Sequence, residues 1–349
     1  MTRTAVPTLG GADLAAVARV MAEAGEPVAG ELECSLIAGG RSNLTYRLGD
    51  GRRRWVLRTP PRAGRTPSAH DVVRELRIIA ALHPTPVPVA RPVAACEDEA
   101  VIGVPFAICE FVDGTTVQTR EAFERLAPES VGDLTTTLVG TLAALHRVDH
   151  VQAGLGGLAR ADGYAARQLK RWSGQWELVA REGLGALGGE LVEALAARLP
   201  DQRRTAVVHG DFRIDNTLLQ ISGGPGGAPR VAAVVDWELA TLGDPDADVA
   251  MMCAYRHAAF DLIVGEESAW TSPLLPGVAE LAATYEELAG VTLAHWEFHL
   301  ALAYFKIGVI AAGIDHRRRS GAGAGPGFDT AGEAVRTYLD LGRQALRSG

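Results

Sequence analysis

Apolar positions in the first part of the chain recur at helical spacing, then at every second residue. Leu14, Val17, Ala18 and Met21 share one face of a helix predicted over 13–24, which Gly25 and Pro27 end. Residues 31–37 alternate as a strand, Leu44, Tyr46 and Leu48 mark one face of a second, and Trp55 to Arg58 form a third. Gly39-Gly40 and Gly49-Asp50-Gly51 separate them, so the three strands read as an antiparallel meander. Helical spacing returns over 68–82. There Val72, Glu75, Ile79 and Leu82 share a face, and Ser68 with Asp71 makes a capping-box start. A proline-rich connector, 84–92, precedes a buried strand over 104–112 that ends at an Asp113-Gly114 turn.

The second part reads as mostly helical. Leu134, Leu138, Leu142 and Leu145 place a long core helix before His146, which reads as a packing or helix-end histidine. Residues 163–204 are helical and mixed, with Trp172 and Trp176 four apart as core or lobe contacts. The period then changes. Ala206-Val207-Val208 leads into His209-Gly210-Asp211, with Asn216 five residues on, and the apolar run 231–235 ends at Asp236-Trp237-Glu238. Between them, a glycine-rich turn at 223–227 marks a hairpin. A hairpin is expected to bring Asp211, Asn216 and Asp236 to one end of a small sheet. Helices follow from Asp248, over 280–288, 293–314 and 330–347, and the irregular stretch 256–276 is a candidate acceptor-binding flap.

An Asp, an Asn and a second Asp suit one chemistry. Oxygen ligands from Asn and Asp hold Mg²⁺, which takes its remaining ligands from water and phosphates. The Asp not needed for metal can orient and deprotonate a hydroxyl. Together these are the parts of phosphoryl transfer from a nucleotide. A glutamate on an apolar stripe needs a partner, and Arg58 at the end of the third strand is the natural one for Glu75.

Composition narrows the picture. At 349 residues the chain exceeds one average domain, so two lobes are expected. A net charge of −8 argues against a general nucleic-acid binder. The longest apolar candidate for a membrane span, 300–314, is broken by Lys306 and reads as a core helix. The start of the chain lacks a basic segment followed by an apolar one, so a cytoplasmic location is expected. The four cysteines show no C-x-x-C spacing, which points to reduced thiols.

The stretch HGDFRIDN, 209–216, resembles the catalytic loop of the aminoglycoside phosphotransferase family, relatives of protein kinases. DWELATLGDPDADVA, 236–250, is similar to that family's metal-binding segment, and the likeness is closest to the branch found fused to acyl-CoA dehydrogenases. The resemblance covers roughly residues 10 to 320 and implies an α+β, bilobal protein-kinase-like fold. A small antiparallel-sheet N-lobe would span 1–112 and a mostly helical C-lobe 113–349.

By that likeness Asp211 is the catalytic base, and Asn216 and Asp236 bind Mg²⁺. Arg213 faces the transferring phosphoryl group, while Arg58, paired with Glu75, holds phosphates. Gly40, Ser42 and Asn43 lie in the loop that covers the phosphates. The backbone of Glu110, Phe111 and Val112 meets the adenine edge. His209 orients the loop, Asp215 stabilises its turn, and Asp248 hydrogen-bonds its backbone. Arg58 departs from the kinase pattern, where a lysine stands. The implied donor is ATP, with GTP left open, and the implied partner is a small-molecule hydroxyl acceptor such as a hydroxyacyl-CoA. A functional link to an acyl-CoA dehydrogenase follows from the same branch. An aminoglycoside kinase, a non-catalytic nucleotide-binding module and a metal-dependent phosphohydrolase are the rivals.

Overall fold

The computed structural model describes residues 9–39, 43–61, 71–125, 130–160, 163–221 and 229–348. The chain divides into two compact units. The first comprises Met1–Asp113 and Ala232–Ala240, the second Gly114–Val231 and Thr241–Gly349. The segment that carries Asp236 is therefore grouped with the first unit and not with the helical one.

In the first unit, α1 (Gly11–Glu23) is followed by β1 (Glu33–Gly39), β2 (Leu44–Gly49) and β3 (Arg54–Thr59). Then come α2 (Val72–Leu82), β4 (Pro92–Cys96) and β5 (Phe106–Glu110). The expected meander is part of a five-stranded sheet, in which the order is β1-β2-β3-β5-β4. The strands alternate because Tyr46, Leu48, Trp55 and Leu57 point into one core, with Ala16, Val17 and Met21 of α1 packed there. β4 was not apparent from sequence, because a short run of Pro, Val and Ala carries no alternation. α2 runs from Val72 with Asp71 as its cap, accepting from Arg74 N–H at 2.9 Å, while Ser68 lies outside the described residues. β5 is shorter than expected: its ladder with β3 pairs Trp55 with Glu110 and Arg58 with Ala107.

The second unit contains α3 (Arg120–Glu124), α4 (Ser130–His146), α5 (Tyr164–Val179) and α6 (Gly185–Ala196). The strands β6 (Ala206–Val208), β7 (Thr217–Ile221), β8 (Pro229–Val234) and β9 (Thr241–Gly243) follow, and β8 ends among first-unit residues. The chain closes with α7 (Pro245–Ala254), α8 (Phe260–Val264), α9 (Val278–Ala289), α10 (Trp296–Arg319) and α11 (Ala331–Ala345). β7 pairs with β8, as the hairpin composition predicts, and β6 pairs with β9. β9 escaped sequence reading, since Thr-Leu-Gly is too short to show a period. α10 is long and apolar enough to cross a membrane by length and composition. Most of it is buried among α5, α7 and α11, which fits the core helix expected there.

The stretch 256–276 is not a loose flap. It contains α8 and a short 3-10 turn at Ala269–Thr271, and Trp270 is buried with its indole N–H on the Met252 carbonyl at 2.9 Å. The Arg256 guanidinium donates to the carbonyls of Trp270, Ser272, Leu275 and Pro276. Four carbonyls satisfied by one buried cation tie the segment down.

Candidate functional site

The catalytic loop stands between β6 and β7 in the second unit. Val208 ends a fully buried strand, and Gly210 turns the chain at φ +83°, a left-handed conformation that glycine adopts without strain. The backbone N–H groups of His209 and Gly210 both donate to Asp248, at 2.7 and 2.8 Å. His146 Nε2 lies 3.1 Å from the same carboxylate, and His146 Nδ1 is 2.7 Å from the Tyr285 hydroxyl. Burial would raise the Asp248 carboxyl, but His146 and the loop's hydrogen bonds hold it below its ordinary value. Asp248 is thus the anchor of the loop, and His146, the buried helix-end residue expected from sequence, lies against it through Nε2. Nothing at helical spacing could reveal that pair, because the two residues are 102 positions apart. His209 is fully buried with its ring edge-on to Phe212, and its Nδ1 accepts from Asp211 N–H at 3.3 Å.

Three side chains define the loop's working face. Asn216 donates to the Asp211 carbonyl at 2.8 Å and to Asp211 Oδ2 at 3.0 Å. This commits the amide nitrogen and leaves its Oδ1 without a hydrogen bond. Asp211 Oδ1 is buried, lies 3.2 Å from Arg213 Nε, and accepts no hydrogen bond. Arg213 also donates to Asp211 Oδ2 at 3.2 Å and lies 3.1 Å from Asp215. Its guanidinium is held over the rings of Tyr255 and Phe260, at 4.8 and 5.0 Å. Burial works against its charge, yet Asp211 and Asp215 outweigh that and keep it protonated. Arg213 is a buried brace for the Asp211 carboxylate within this unit.

In the first unit, Arg58 Nη1 pairs with Glu75 Oε2 at 2.5 Å, as expected, and its Nη2 lies 3.5 Å from Asp236 Oδ1. Arg58 Nε is buried without a hydrogen bond, which leaves one donor for a ligand. Asn43, also buried, donates to Glu75 Oε1 at 3.0 Å. Its amide therefore braces Glu75 instead of reaching out to phosphate; Gly40 and Ser42 lie outside the described residues. Burial pushes the Glu75 carboxyl up to about 7, against the opposite pull of Arg58. Asp236 is one of two described non-glycine residues with positive φ, at 64°, a strained conformation that aims its carboxylate. Its Oδ1 accepts no hydrogen bond. Arg74 donates to the carbonyls of Glu238 and Ala240, fixing the segment that follows.

The hinge expectation needs one correction. The N–H groups of Glu110 and Phe111 are already given to the carbonyls of Arg91 and Arg54, at 2.9 and 3.0 Å. Of the three, Val112 is the residue whose N–H is free of hydrogen bonds among the described residues. The Phe111 ring carries the Arg54 guanidinium at 4.7 Å, and Glu110 pairs with Arg91 at 2.8 Å.

The residues fit a magnesium ion in character. Asn216 Oδ1 and Asp236 Oδ1 are hard oxygen donors, the type Mg²⁺ takes alongside phosphate oxygens and water, and Asp236 Oδ1 has no hydrogen bond among the described residues. All four cysteines are free thiols.

A family model described as phosphotransferase enzyme family matches residues 33–296. Acyl-CoA dehydrogenase family member 10 of Mus musculus is 32% identical over 316 residues, covering 89% of this chain and 29% of that protein. The chain spans less than half the length of this curated relative. A solved structure of a candidate aminoglycoside phosphotransferase from Ralstonia eutropha superposes with a TM-score of 0.81 at 31% identity, covering 96% of this chain and 98% of that one. A thermostable mutant of the aminoglycoside phosphotransferase APH(4)-Ia, in a ternary complex with AMP-PNP and hygromycin B, has a TM-score of 0.59 at 18% identity, covering 96% and 98%. That last likeness is one of fold alone, and the fold is the kinase-like α+β arrangement of these enzymes.

Proposed function

Since this chain belongs to the phosphotransferase enzyme family, we propose that it moves the γ-phosphate of ATP to the hydroxyl of a small molecule, a hydroxyacyl-CoA or a similar metabolite. The observation that carries the reading is Asp211. Its carboxylate is fixed by Asn216 and Arg213 in the loop between β6 and β7, as a base positioned for an acceptor's proton would be.

The other assignments follow from chemistry. Magnesium, when bound, neutralises charge on the nucleotide's phosphates. Asn216 and Asp236 are the protein ligands this reading assigns to it. Arg58, kept in place by Glu75, gives its unused Nε–H to a phosphate oxygen. Val112 N–H and the carbonyls beside it serve the adenine edge. Arg213 orients Asp211, so positioning and electrostatics supply the rate.

Two named relatives bear on the acceptor. The solved complex with AMP-PNP and hygromycin B supports a nucleotide donor and a small hydroxylated acceptor. The acyl-CoA dehydrogenase relative carries a similar segment inside a longer protein, which supports an acyl acceptor and a functional link to such a dehydrogenase. The test is an ATP-consumption screen of hydroxyacyl-CoAs, amino alcohols and aminoglycosides. Turnover of a hydroxyacyl-CoA supports the reading, and turnover of aminoglycosides alone overturns it in favour of an antibiotic kinase.

A further inference from the structure

Lys306 interrupts the apolar run of α10, and its surroundings in the second unit are unusual. It lines a cavity of about 20 Å³ together with Gln168, Trp172, Gly210, Asp248 and His299. Gly210 immediately precedes the base, so the cavity abuts the catalytic loop. The ammonium makes no hydrogen bond and no ion pair of 4 Å or less among the described residues. It lies 5.5 Å from the centroid of the Trp172 ring, and Arg171 lies 5.5 Å from the same ring. Arg171 also lacks a carboxylate partner among the described residues. Burial pulls the lysine below its ordinary range; Asp211 and Asp248 pull it back up, and Arg171 opposes them.

Two cations that share one indole repel each other, and neither has a carboxylate within ion-pair distance among the described residues. Such an arrangement is stabilised when an anion arrives between water and the ring. The neighbouring face of α5 continues the theme: Arg167, Lys170 and Arg171 stand against a single acid on that helix, Glu177. The enclosed volume itself holds about one water. His299 is 2% exposed, and its Nδ1 has no hydrogen bond among the described residues. Gln168, Trp172 and Lys306 are half-buried, so a ligand would meet the cavity on their side.

We propose that Lys306 and Arg171, set on Trp172, form an anion-binding platform for the acceptor, which therefore carries a carboxylate or phosphate group. This rests on the phosphotransferase reading above and narrows its acceptor class. A polycationic aminoglycoside would be repelled from the same place. The negative charge could belong to the carboxylate of a free hydroxy acid or to the phosphates of a CoA thioester, and the two are separable by experiment.

Calorimetric titration of the full chain with 3-hydroxybutyrate, 3-hydroxybutyryl-CoA, CoA and kanamycin tests it without any need for turnover. The platform predicts binding of at least one anionic probe, weakened by salt, and none of kanamycin. Binding of 3-hydroxybutyrate alone assigns the site to a carboxylate, and binding of both CoA compounds assigns it to phosphates. Lys306→Met, which keeps the stem against Trp172, should cut affinity about tenfold or more, and Lys306→Arg should retain most of it. Arg171→Gln, at an exposed position, should weaken binding even if Lys306→Met does not fold. Unchanged affinity in Arg171→Gln and in a folded Lys306→Met overturns the proposal and leaves only a cavity holding a water. Tight kanamycin binding, or no binding of any anionic probe, overturns it too. A wild type that binds anions but phosphorylates nothing contradicts the phosphotransferase reading instead.

Discussion

Arg213 holds Asp211 side-on, with Nε 3.2 Å from one carboxylate oxygen and Nη2 3.2 Å from the other. The guanidinium is itself packed over Tyr255 and Phe260, so the Asp211 carboxylate is positioned by a buried cation and not by solvent. Replacing Arg213 by Met leaves two carboxylates, Asp211 and Asp215, beside an apolar pocket. Breaking a pair this buried costs ~3 kcal/mol, read as a lower melting temperature. Lysine at 213 should recover part of the stability but less of kcat, because it cannot span both oxygens. Equal kcat in Arg213→Lys and wild type would show that side-on geometry is irrelevant.

Glu75 offers a second check. With its carboxyl pushed up to about 7 by burial, the ion pair to Arg58 forms as pH rises through neutrality. The KM for ATP should fall over that rise in the wild type. Glu75→Gln should show a KM about tenfold higher at pH 8 and lose the dependence. The sign for stability is the reverse. The folded protein binds this proton more readily than the unfolded chain, so that contribution is lost as pH rises from the usual 4.5 to about 7. A KM for ATP that is flat with pH in both proteins would remove Glu75 from the nucleotide site.

His299 behaves oppositely. Burial pulls its imidazole down to about 4, from an ordinary 6.5. The unfolded chain takes up this proton first, so its contribution is complete above pH 6.5 and is lost as pH falls toward 4. The full loss amounts to ~3 kcal/mol. Asp244, pushed up to about 6 by burial, slopes the other way and lies 3.6 Å from His299 Nε2, so the comparison reads the two groups together. Urea unfolding midpoints of the wild type should drop more steeply between pH 6.5 and 4 than those of His299→Gln. Parallel curves would place the acid sensitivity elsewhere.

How much of this could be read in the sequence depends on whether partners are close along the chain. Asp211 and Asn216 are five residues apart in one loop, and Arg58 with Glu75 stand on adjacent elements, so their proximity was legible. The helical spacing of Leu134 to Leu145 and the alternation in β2 and β3 gave the core elements for the same reason. His146 with Asp248 and Tyr285 was not legible, because tertiary packing alone brings them together. The stretch 256–276 looked loose by composition, but Arg256 supplies the hydrogen bonds its backbone lacks. Arg213 was placed by analogy with a kinase lysine, while its aromatic seat is assembled from residues over forty positions later. Lys306 read as a mere break in an apolar run, since the indole beneath it belongs to another helix.

The most direct measurement follows ³¹P resonances while the wild type and Asp211→Asn each act on Mg-ATP and a hydroxyacyl-CoA. The account predicts ADP together with a new phosphomonoester from the wild type. With the base removed, the rate should drop by roughly 10²–10⁴-fold, at a similar KM for ATP. Phosphomonoester formed equally fast by Asp211→Asn, or phosphate released from an ester in the absence of any nucleotide, would contradict it.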